Sequence, residues 1–321
     1  MNNIHKTRLR PWAIFTVVGA LPSIATLIGF GGSWWWAFDL FANFRVQYLL
    51  SLTILTLLLV VSKKFRFAIA YGLFALVNLT LILPYYWPFW SSETVKDNSL
   101  PVLRAISINV HKNNRRFDLV KKFVQEKSPT FLLLEEVNST WLENLAEVSL
   151  SYPYTKHYPR DDNFGVAFYS KIPWTKCEIL QLGNAGVPSV MAQFEIDGKQ
   201  LTLIGTHPLP PVNSEYASMR NNQMEVLARY MQITPGAKLL IGDLNATPWS
   251  YGFQKLLDGK ILRDSANGSG IQPTWPTDSP LMLIPIDHCL VSADLKVIGR
   301  HIGYNVGSDH YPLVIDFALA R

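Results

Sequence analysis

Cysteine is nearly absent: the 321 residues contain two, Cys177 and Cys289. Neither their number nor their spacing makes a thiolate zinc site, and whether they pair as a disulfide is not deducible from sequence, so they are read as core residues. Internal repeats and low-complexity tracts are lacking as well, which leaves no sign of a repeat array. A charge excess is missing where a nucleic-acid-binding surface would need one. Residues 99–321 carry twenty-one Lys or Arg and twenty-one Asp or Glu; the formal net charge of +5 arises in residues 1–98, with eight basic residues against three acidic ones. The larger part of the chain is therefore neutral and offers no broad electrostatic footprint for nucleic acid.

Long apolar runs are concentrated at the start, from Pro11 to Trp90. Three transmembrane helices are expected, at about Pro11–Phe30, Val46–Ser62 and Phe67–Tyr86, each near the ~20 residues that cross a bilayer, although the middle one is short. A signal peptide would offer a single apolar stretch of about 7–15 residues, which fits three long ones poorly. A buried helical core is the other alternative. Against it, Trp34, Trp35 and Trp36 follow the first span, and Trp87 and Trp90 follow the third, where amphipathic rings sit at headgroup level. The spans so drawn hold no charge of the kind that marks a transport pathway.

Orientation follows from the basic residues. Lys6, Arg8 and Arg10 precede the first span, and Lys63, Lys64 and Arg66 fill the loop between the second and third; the loop from Gly31 to Arg45 holds one Arg and one Asp. The positive-inside rule places the N-terminus in the cytoplasm, and three crossings then put everything after Trp90 outside it. The expected organisation is an integral inner- or plasma-membrane anchor at residues 1–90, a polar linker at 91–100, and an extracytoplasmic domain at 101–321, large enough to bury a substantial core.

In that domain short apolar runs rich in β-branched residues alternate with helical patterns. Strands are expected at Val102–Val110, Thr130–Leu134, Gly165–Tyr169, Val190–Ile196, Leu201–Gly205, Lys238–Ile241, Ile286–Val291 and Tyr311–Phe317, and helices at Phe117–Glu126, Trp141–Val148 and Glu215–Ile233. This mixture suggests α/β architecture, with sheets packed on each other and covered by helices.

Polar residues stand at the strand ends, where a rigid scaffold carries catalytic groups. Asn109 ends the first strand, Glu135 and Glu136 the second; His207 follows Leu201–Gly205, Asp243 and Asn245 follow Lys238–Ile241, Asp287 opens Ile286–Val291, and Asp309 and His310 precede the last strand. Taken singly, most have an ordinary reading: Gly242-Asp243-Leu244-Asn245 has turn chemistry, and Asp309-His310 could be a solvated turn. Glu135 and Glu136 are harder to dismiss, because carboxylates at a buried strand end call for a cationic partner. Oxygen ligands without a cysteine cluster favour Mg²⁺ or Mn²⁺ over zinc, and nearby histidines add acid–base capacity around neutral pH. The combination suits hydrolysis of a phosphate ester.

In order, Ser107-Ile108-Asn109-Val110, Leu134-Glu135-Glu136-Val137, Gly205-Thr206-His207, Gly242-Asp243-Leu244-Asn245, Ile286-Asp287-His288 and Ser308-Asp309-His310 resemble the motif series of the endonuclease/exonuclease/phosphatase superfamily, which includes deoxyribonuclease-like and sphingomyelinase-like enzymes. The resemblance implies a four-layer α/β sandwich of two mainly antiparallel sheets flanked by helices. It makes Glu136 the chief metal ligand, with Asn109 and Asp309 at the metal site. Asp243 and Asn245 would position nucleophile and phosphate, and His310, oriented by Asp287, would be the base or the phosphate-polarising group. His207 would be a second phosphate contact or general acid. Arg220 is a candidate substrate contact, with a solvated helix arginine as the alternative. Two positions depart from the pattern: the family usually has Gln where Glu135 stands, and some nucleases have Asp where His111 stands.

The expected function is a membrane-anchored, Mg²⁺-dependent (or Mn²⁺-dependent) hydrolase of a phosphodiester or phosphomonoester. A neutral domain beside a membrane, with Tyr251, Phe253 and Trp275 in apparent loops, favours a phospholipid or sphingolipid headgroup as substrate. An extracytoplasmic endo- or exonuclease is the alternative enzyme. A catalytically inactive sensory or binding module is the alternative of another class, opposed by the joint presence of Glu136, Asp243, Asn245, Asp287, Asp309 and His310.

Overall fold

The computed structural model describes residues 11–87 and 101–320. The chain divides into one compact unit ending at Leu83 and another beginning at Pro84. The expected linker at 91–100, Trp90, and the basic residues before the first span lie outside the described residues.

The first unit consists of α1 (Pro11–Ile28), α2 (Trp36–Asp39), α3 (Arg45–Val61) and α4 (Phe65–Ile82). A 3-10 turn, Leu40–Phe44, joins α2 to α3, so that an apolar helical stretch of 26 residues, Trp36–Val61, stands where sequence predicts a loop followed by the short span Val46–Ser62. Asp39 and Arg45 interrupt the apolar pattern in sequence, yet both side chains are buried. Arg45 Nη1 donates to the Thr26 carbonyl in the last turn of α1 at 2.8 Å, and its guanidinium lies 4.4 Å from the Phe30 ring centroid. A cation is favoured at the negative end of a helix, which lets an apolar stretch carry this charge and corrects the expectation of charge-free spans.

Three stretches, Pro11–Ile28, Trp36–Val61 and Phe65–Tyr85, are long and apolar enough to cross a membrane. Leu52, Leu55, Leu59, Ala68, Tyr71 and Ala75 pack together inside the unit. The opposite faces are also apolar: Val17, Leu21 and Leu27 on α1, Ile54, Leu57 and Val61 on α3, and Ile69, Leu73 and Leu76 on α4 are exposed. A helix pair in water would carry polar residues there.

The second unit contains β1 (Leu103–Asn109), α5 (Phe117–Lys127), β2 (Phe131–Glu135), α6 (Ser139–Asn144), α7 (Ala146–Ser149), β3 (Tyr154–Tyr158), β4 (Val166–Ser170), β5 (Lys176–Gln181), β6 (Pro188–Ile196), β7 (Lys199–Thr206), α8 (Ser214–Ile233), β8 (Ala237–Asp243), α9 (Tyr251–Leu257), β9 (Arg263–Asp264), β10 (Asp287–Val291), β11 (Leu295–Ile302) and β12 (Leu313–Leu319). Two six-stranded sheets form, in the orders β11-β12-β1-β2-β4-β3 and β5-β6-β7-β8-β10-β9. Each has one parallel pair, β1 with β2 and β7 with β8, and its other pairs are antiparallel. A parallel pair needs a crossover connection, supplied here by α5 and α8.

Strand alternation explains the layers. Ala105, Phe131, Leu133 and Ile315 of one sheet meet Ala192, Phe194, Leu239 and Ile241 of the other in a single core. Residues of opposite parity, Ile106, Ile108, Leu132 and Leu134, pack under Val120, Phe123 and Trp141 of the helices outside. Ile204, Leu240 and Leu290 do the same under Met224, Leu227 and Phe253. The expected four-layer sandwich is thus the fold. Cys177 and Cys289 are free, Cys289 within the inter-sheet core and Cys177 packed against it.

Candidate active site

Sheet topology gathers the polar strand ends. Asn109 is the register partner of Glu135 across β1 and β2, and Asp287 is the partner of Asp243 across β10 and β8. Asn109 Nδ2 of the first sheet lies 3.2 Å from Asp243 Oδ2 of the second, so these ends meet at one end of the sandwich.

Asp243 is the centre of the cluster. Its Oδ2 is 3.4 Å from His207 Nε2 and 3.6 Å from His310 Nε2. The Asp287 carboxylate accepts from His310 Nδ1 at 2.9 Å, which holds the ring with Nε2 turned toward Asp243. All four side chains are buried. Burial alone would lower both histidines, but the surrounding carboxylates outweigh it: Asp243, with Glu135 and Glu136 behind it, raises His207 to about 9, and Asp287 with Asp243 raises His310 to about 10. Burial likewise opposes ionisation of Asp243, and the two histidines overcome it, leaving this carboxyl at about 2. The carboxylates thus favour the protonated form of each imidazole, and the imidazoles favour the ionised form of Asp243.

Glu136 follows β2 in a left-handed backbone conformation, φ 60°, a local strain of about 1–3 kcal/mol for a non-glycine residue. The turn separates the two glutamates. Glu136 Oε1 accepts from Asn109 Nδ2 at 3.1 Å, whereas Glu135 points beneath the cluster, where Oε2 accepts from Ser107 Oγ and Oε1 from the Asp243 backbone N–H, both at 2.9 Å. Burial pushes the Glu135 carboxyl up to about 8, against the pull of His207 and with help from Asp243 and Asp287. Gly242 admits it: a Cβ there would stand 2.5 Å from Glu135 Oε1 and 2.1 Å from the Thr206 carbonyl, and its φ of +146° suits only glycine.

Asp309 lies at the rim, its Oδ2 accepting from Trp275 Nε1 at 3.2 Å and its Oδ1 lying 3.6 Å from His111 Nδ1. Ser308 Oγ donates to the Asn109 carbonyl at 2.7 Å, tying the strand-leading turn to the end of β1. Asn245 has φ 49°; its backbone N–H donates to Asp243 Oδ1 at 2.8 Å, and its Nδ2 donates to the Pro208 carbonyl at 2.9 Å while lying 3.0 Å from His207 Nε2. Thus eight of the nine sequence candidates converge. Arg220 does not join them and is not a solvated helix residue: it is buried, with Nη1 donating to the Asn245 carbonyl at 2.8 Å and Nη2 to Asn221 Oδ1 at 3.0 Å.

Sequence reasoning missed the aromatic flanks. The Phe164 ring centroid is 5.4 Å from that of His207, and Trp275 is 6.3 Å from His310. Of the aromatics expected in loops Trp275 is one, whereas Tyr251 and Phe253 lie in α9 with Phe253 buried, and nothing in the local sequence ties Phe164 to His207.

The donor chemistry fits a hard cation. The carboxylates of Glu136, Asp243 and Asp309 and the Asn109 amide offer oxygen atoms, and the thiols lie in the core. Among the described residues, Asp243, Asp287 and His310 bring three potential ligand atoms within 4.8 Å of one another, an acidic cluster able to hold a metal ion.

Residues 106–310 match the Endonuclease/Exonuclease/phosphatase family, whose members are metal-dependent phosphoesterases and nucleases. No curated protein matches the chain. Among solved structures, the Danio rerio TDP2 complex with a single-strand DNA product is 16% identical with a TM-score of 0.57, covering 67% of this chain and 98% of that one. The human Nocturnin catalytic domain with bound sulfate is 18% identical with a TM-score of 0.57, covering 69% and 96%. An endonuclease/exonuclease/phosphatase from Beutenbergia cavernae is 18% identical with a TM-score of 0.55, covering 68% and 72%. At such identities the likeness speaks for the fold, and it is the match over 106–310, most of the second unit, that places this chain in the Endonuclease/Exonuclease/phosphatase family.

Proposed function

We propose that the protein is a membrane-anchored, Mg²⁺-dependent phosphoester hydrolase whose favoured substrate is a lipid headgroup, with Mn²⁺ as a substitute ion. The observation that carries the hydrolase reading is the Asp287–His310–Asp243–His207 array, in which one carboxylate faces two imidazoles. Glu136, Asn109 and Asp309 would hold the ion, which when bound offsets charge on the phosphoryl oxygens.

Asp243, ionised far below neutral pH, accepts a proton from the attacking water. The water oxygen bonds to phosphorus, the ester P–O bond breaks, and the departing oxygen takes a proton from an imidazole. His207 is suited to that donation. His310, kept protonated by Asp287 and Asp243, polarises the phosphoryl group rather than acting as the free base. Asn245 orients a phosphoryl oxygen through its amide.

Support for a lipid comes from three helices able to span a membrane and from a neutral catalytic unit. It comes also from the segment between Trp275 and Ile284, whose start is bonded to Asp309 and whose Leu281 and Met282 are exposed. The basic residues flanking the spans favour an extracytoplasmic catalytic unit in an inner or plasma membrane. An endo- or exonuclease is the second reading, favoured by the fold neighbour TDP2 bound to a DNA product.

Full-length protein in detergent, supplied with Mg²⁺, separates the two readings. Phosphodiester lipids in vesicles and DNA or RNA are compared at equal phosphate concentration. Faster lipid hydrolysis with weak salt dependence is expected, because no broad basic surface must release counterions. Nucleic-acid cleavage without lipid hydrolysis would establish the nuclease, and no hydrolysis of either, or of a generic phosphodiester, would favour an inactive module.

A further inference from the structure

Two buried side chains reach the Asn245 turn from behind, away from the Asp243 cluster. Arg220 Nη1 of α8 donates to the Asn245 carbonyl at 2.8 Å, and His288 Nε2 of β10 lies 2.8 Å from the next carbonyl, that of Ala246. A carbonyl only accepts, so Nε2 of His288 carries the hydrogen. Arg220 is 2% exposed and His288 1%, so water cannot readily take over either bond.

The placement of His288 follows from strand alternation. Asp287 serves the cluster, and its neighbour projects from the opposite face of β10, where the His288 ring centroid is 4.5 Å from that of Phe253 of α9 and its Nδ1 is 3.8 Å from Asp264 Oδ2 of β9. One strand thus carries an acid–imidazole pair on each face: Asp287 with His310, and His288 with Asp264. The turn between the two donors is one that needs holding. Asn245 is a non-glycine residue at φ 49°, and that conformation sets where its side chain starts, while its Nδ2 is held further out by the Pro208 carbonyl at 2.9 Å.

We propose that Arg220 and His288 are positioning residues that clamp successive carbonyls of the Asn245–Ala246 turn and so aim the Asn245 amide at the scissile phosphate. The clamp rests on the phosphoesterase reading of Asn245, and it gives Arg220 a task in catalysis without contact to substrate.

The test is a double-mutant cycle on the full-length protein, with an aryl phosphodiester and Mg²⁺. His288→Leu and Arg220→Met are expected to lower kcat by roughly 100-fold, the scale of a small misplacement in an active site, with KM changed far less. His288→Gln, whose amide can present a donor near the same place, should recover most of the loss. In an Asn245→Ala background the Leu and Met changes should cost almost nothing further, because the group they aim is gone. Equal losses in both backgrounds, or a Gln variant as poor as Leu, would overturn the clamp. Should the Leu or Met variant fail to fold, Arg220→Lys, which keeps the charge without the planar fork, enters the same cycle.

Backbone hydrogen exchange over 244–250 gives a readout that needs no activity. It should quicken in His288→Leu and Arg220→Met relative to wild type and His288→Gln; unchanged exchange refutes the clamp. A wild type without hydrolytic activity but with the expected exchange pattern would instead refute the phosphoesterase reading alone.

Discussion

Nδ1 of His310 lies 2.9 Å from Oδ2 of Asp287 across 23 positions of sequence, with both side chains buried. The bond fixes which ring nitrogen faces Asp243, and it places the histidine between two carboxylates rather than one. Asp309, adjacent in sequence, turns instead to Trp275 and His111. Adjacent residues of the Ser308-Asp309-His310 turn therefore serve two different parts of the site.

His310→Ala is expected to lower kcat by about 10²–10³-fold, the range of a lost group that stabilises charge in the transition state, and Asp287→Asn to cost a comparable factor by releasing the ring from its orientation. Substrate binding should change much less in both, because the interaction matters mainly in the transition state. Steady-state kinetics on a soluble phosphodiester distinguish the cases; turnover retained in both variants would remove the dyad from the mechanism.

Metal binding is expected to depend on Glu136 more than on Glu135. Glu136→Gln keeps shape and removes charge beside Asn109, and should weaken Mg²⁺ binding by about tenfold or more with a matching loss of turnover. Glu135→Gln should do less, because its carboxyl is taken up by Ser107 and the Asp243 backbone. Calorimetric titration with Mg²⁺ compares the two, and wild-type affinity in Glu136→Gln would reassign the ligand.

The central strands and the clustering of the candidate site residues are legible in sequence for the same reason. Buried strands such as Phe131–Glu135 and Ala237–Asp243 are apolar runs, and a polar residue closing such a run stands out. The four strands that were missed, β3, β5, β9 and β11, are the four sheet edges, where polar residues break the apolar pattern. Residues 36–44 look like a loop in sequence because Asp39 and Arg45 hide an apolar helical stretch. The place of Arg220 is not legible, because nothing in a helical sequence shows that a guanidinium will fold inward onto the carbonyl of a residue 25 positions away.

The Glu135 carboxyl predicts a pH-dependent stability. Its folded value of about 8 exceeds the ordinary 4.5, so between those values the folded protein holds a proton that the unfolded chain has released. Its contribution is fully present below about pH 4.5 and is lost as pH rises through about 8. His207 and His310, raised to about 9 and 10, lose their contributions in the same direction at higher pH. Glu135→Gln lacks the first of these dependences and leaves the other two. In melts with chelator present, the Tm of Glu135→Gln minus that of wild type should therefore rise from pH 5 to pH 9. A flat difference would mean that Glu135 titrates alike in the folded and unfolded chain.

Topology is open to a direct test. Three apolar stretches are present, and the basic residues Lys63, Lys64 and Arg66 surround the turn between α3 and α4. Basic loops stay in the cytoplasm, so this turn should be cytoplasmic, and one further crossing should carry the catalytic unit to the other side. A reporter that works only outside the cytoplasm should be active when fused after Arg321 and silent when fused after Lys64. The reverse pattern would place the catalytic unit in the cytoplasm, where a phosphoesterase would meet the inner leaflet and the cell's own nucleic acids instead of extracytoplasmic substrates. Activity at neither or both fusion points would be incompatible with three crossings in the expected order.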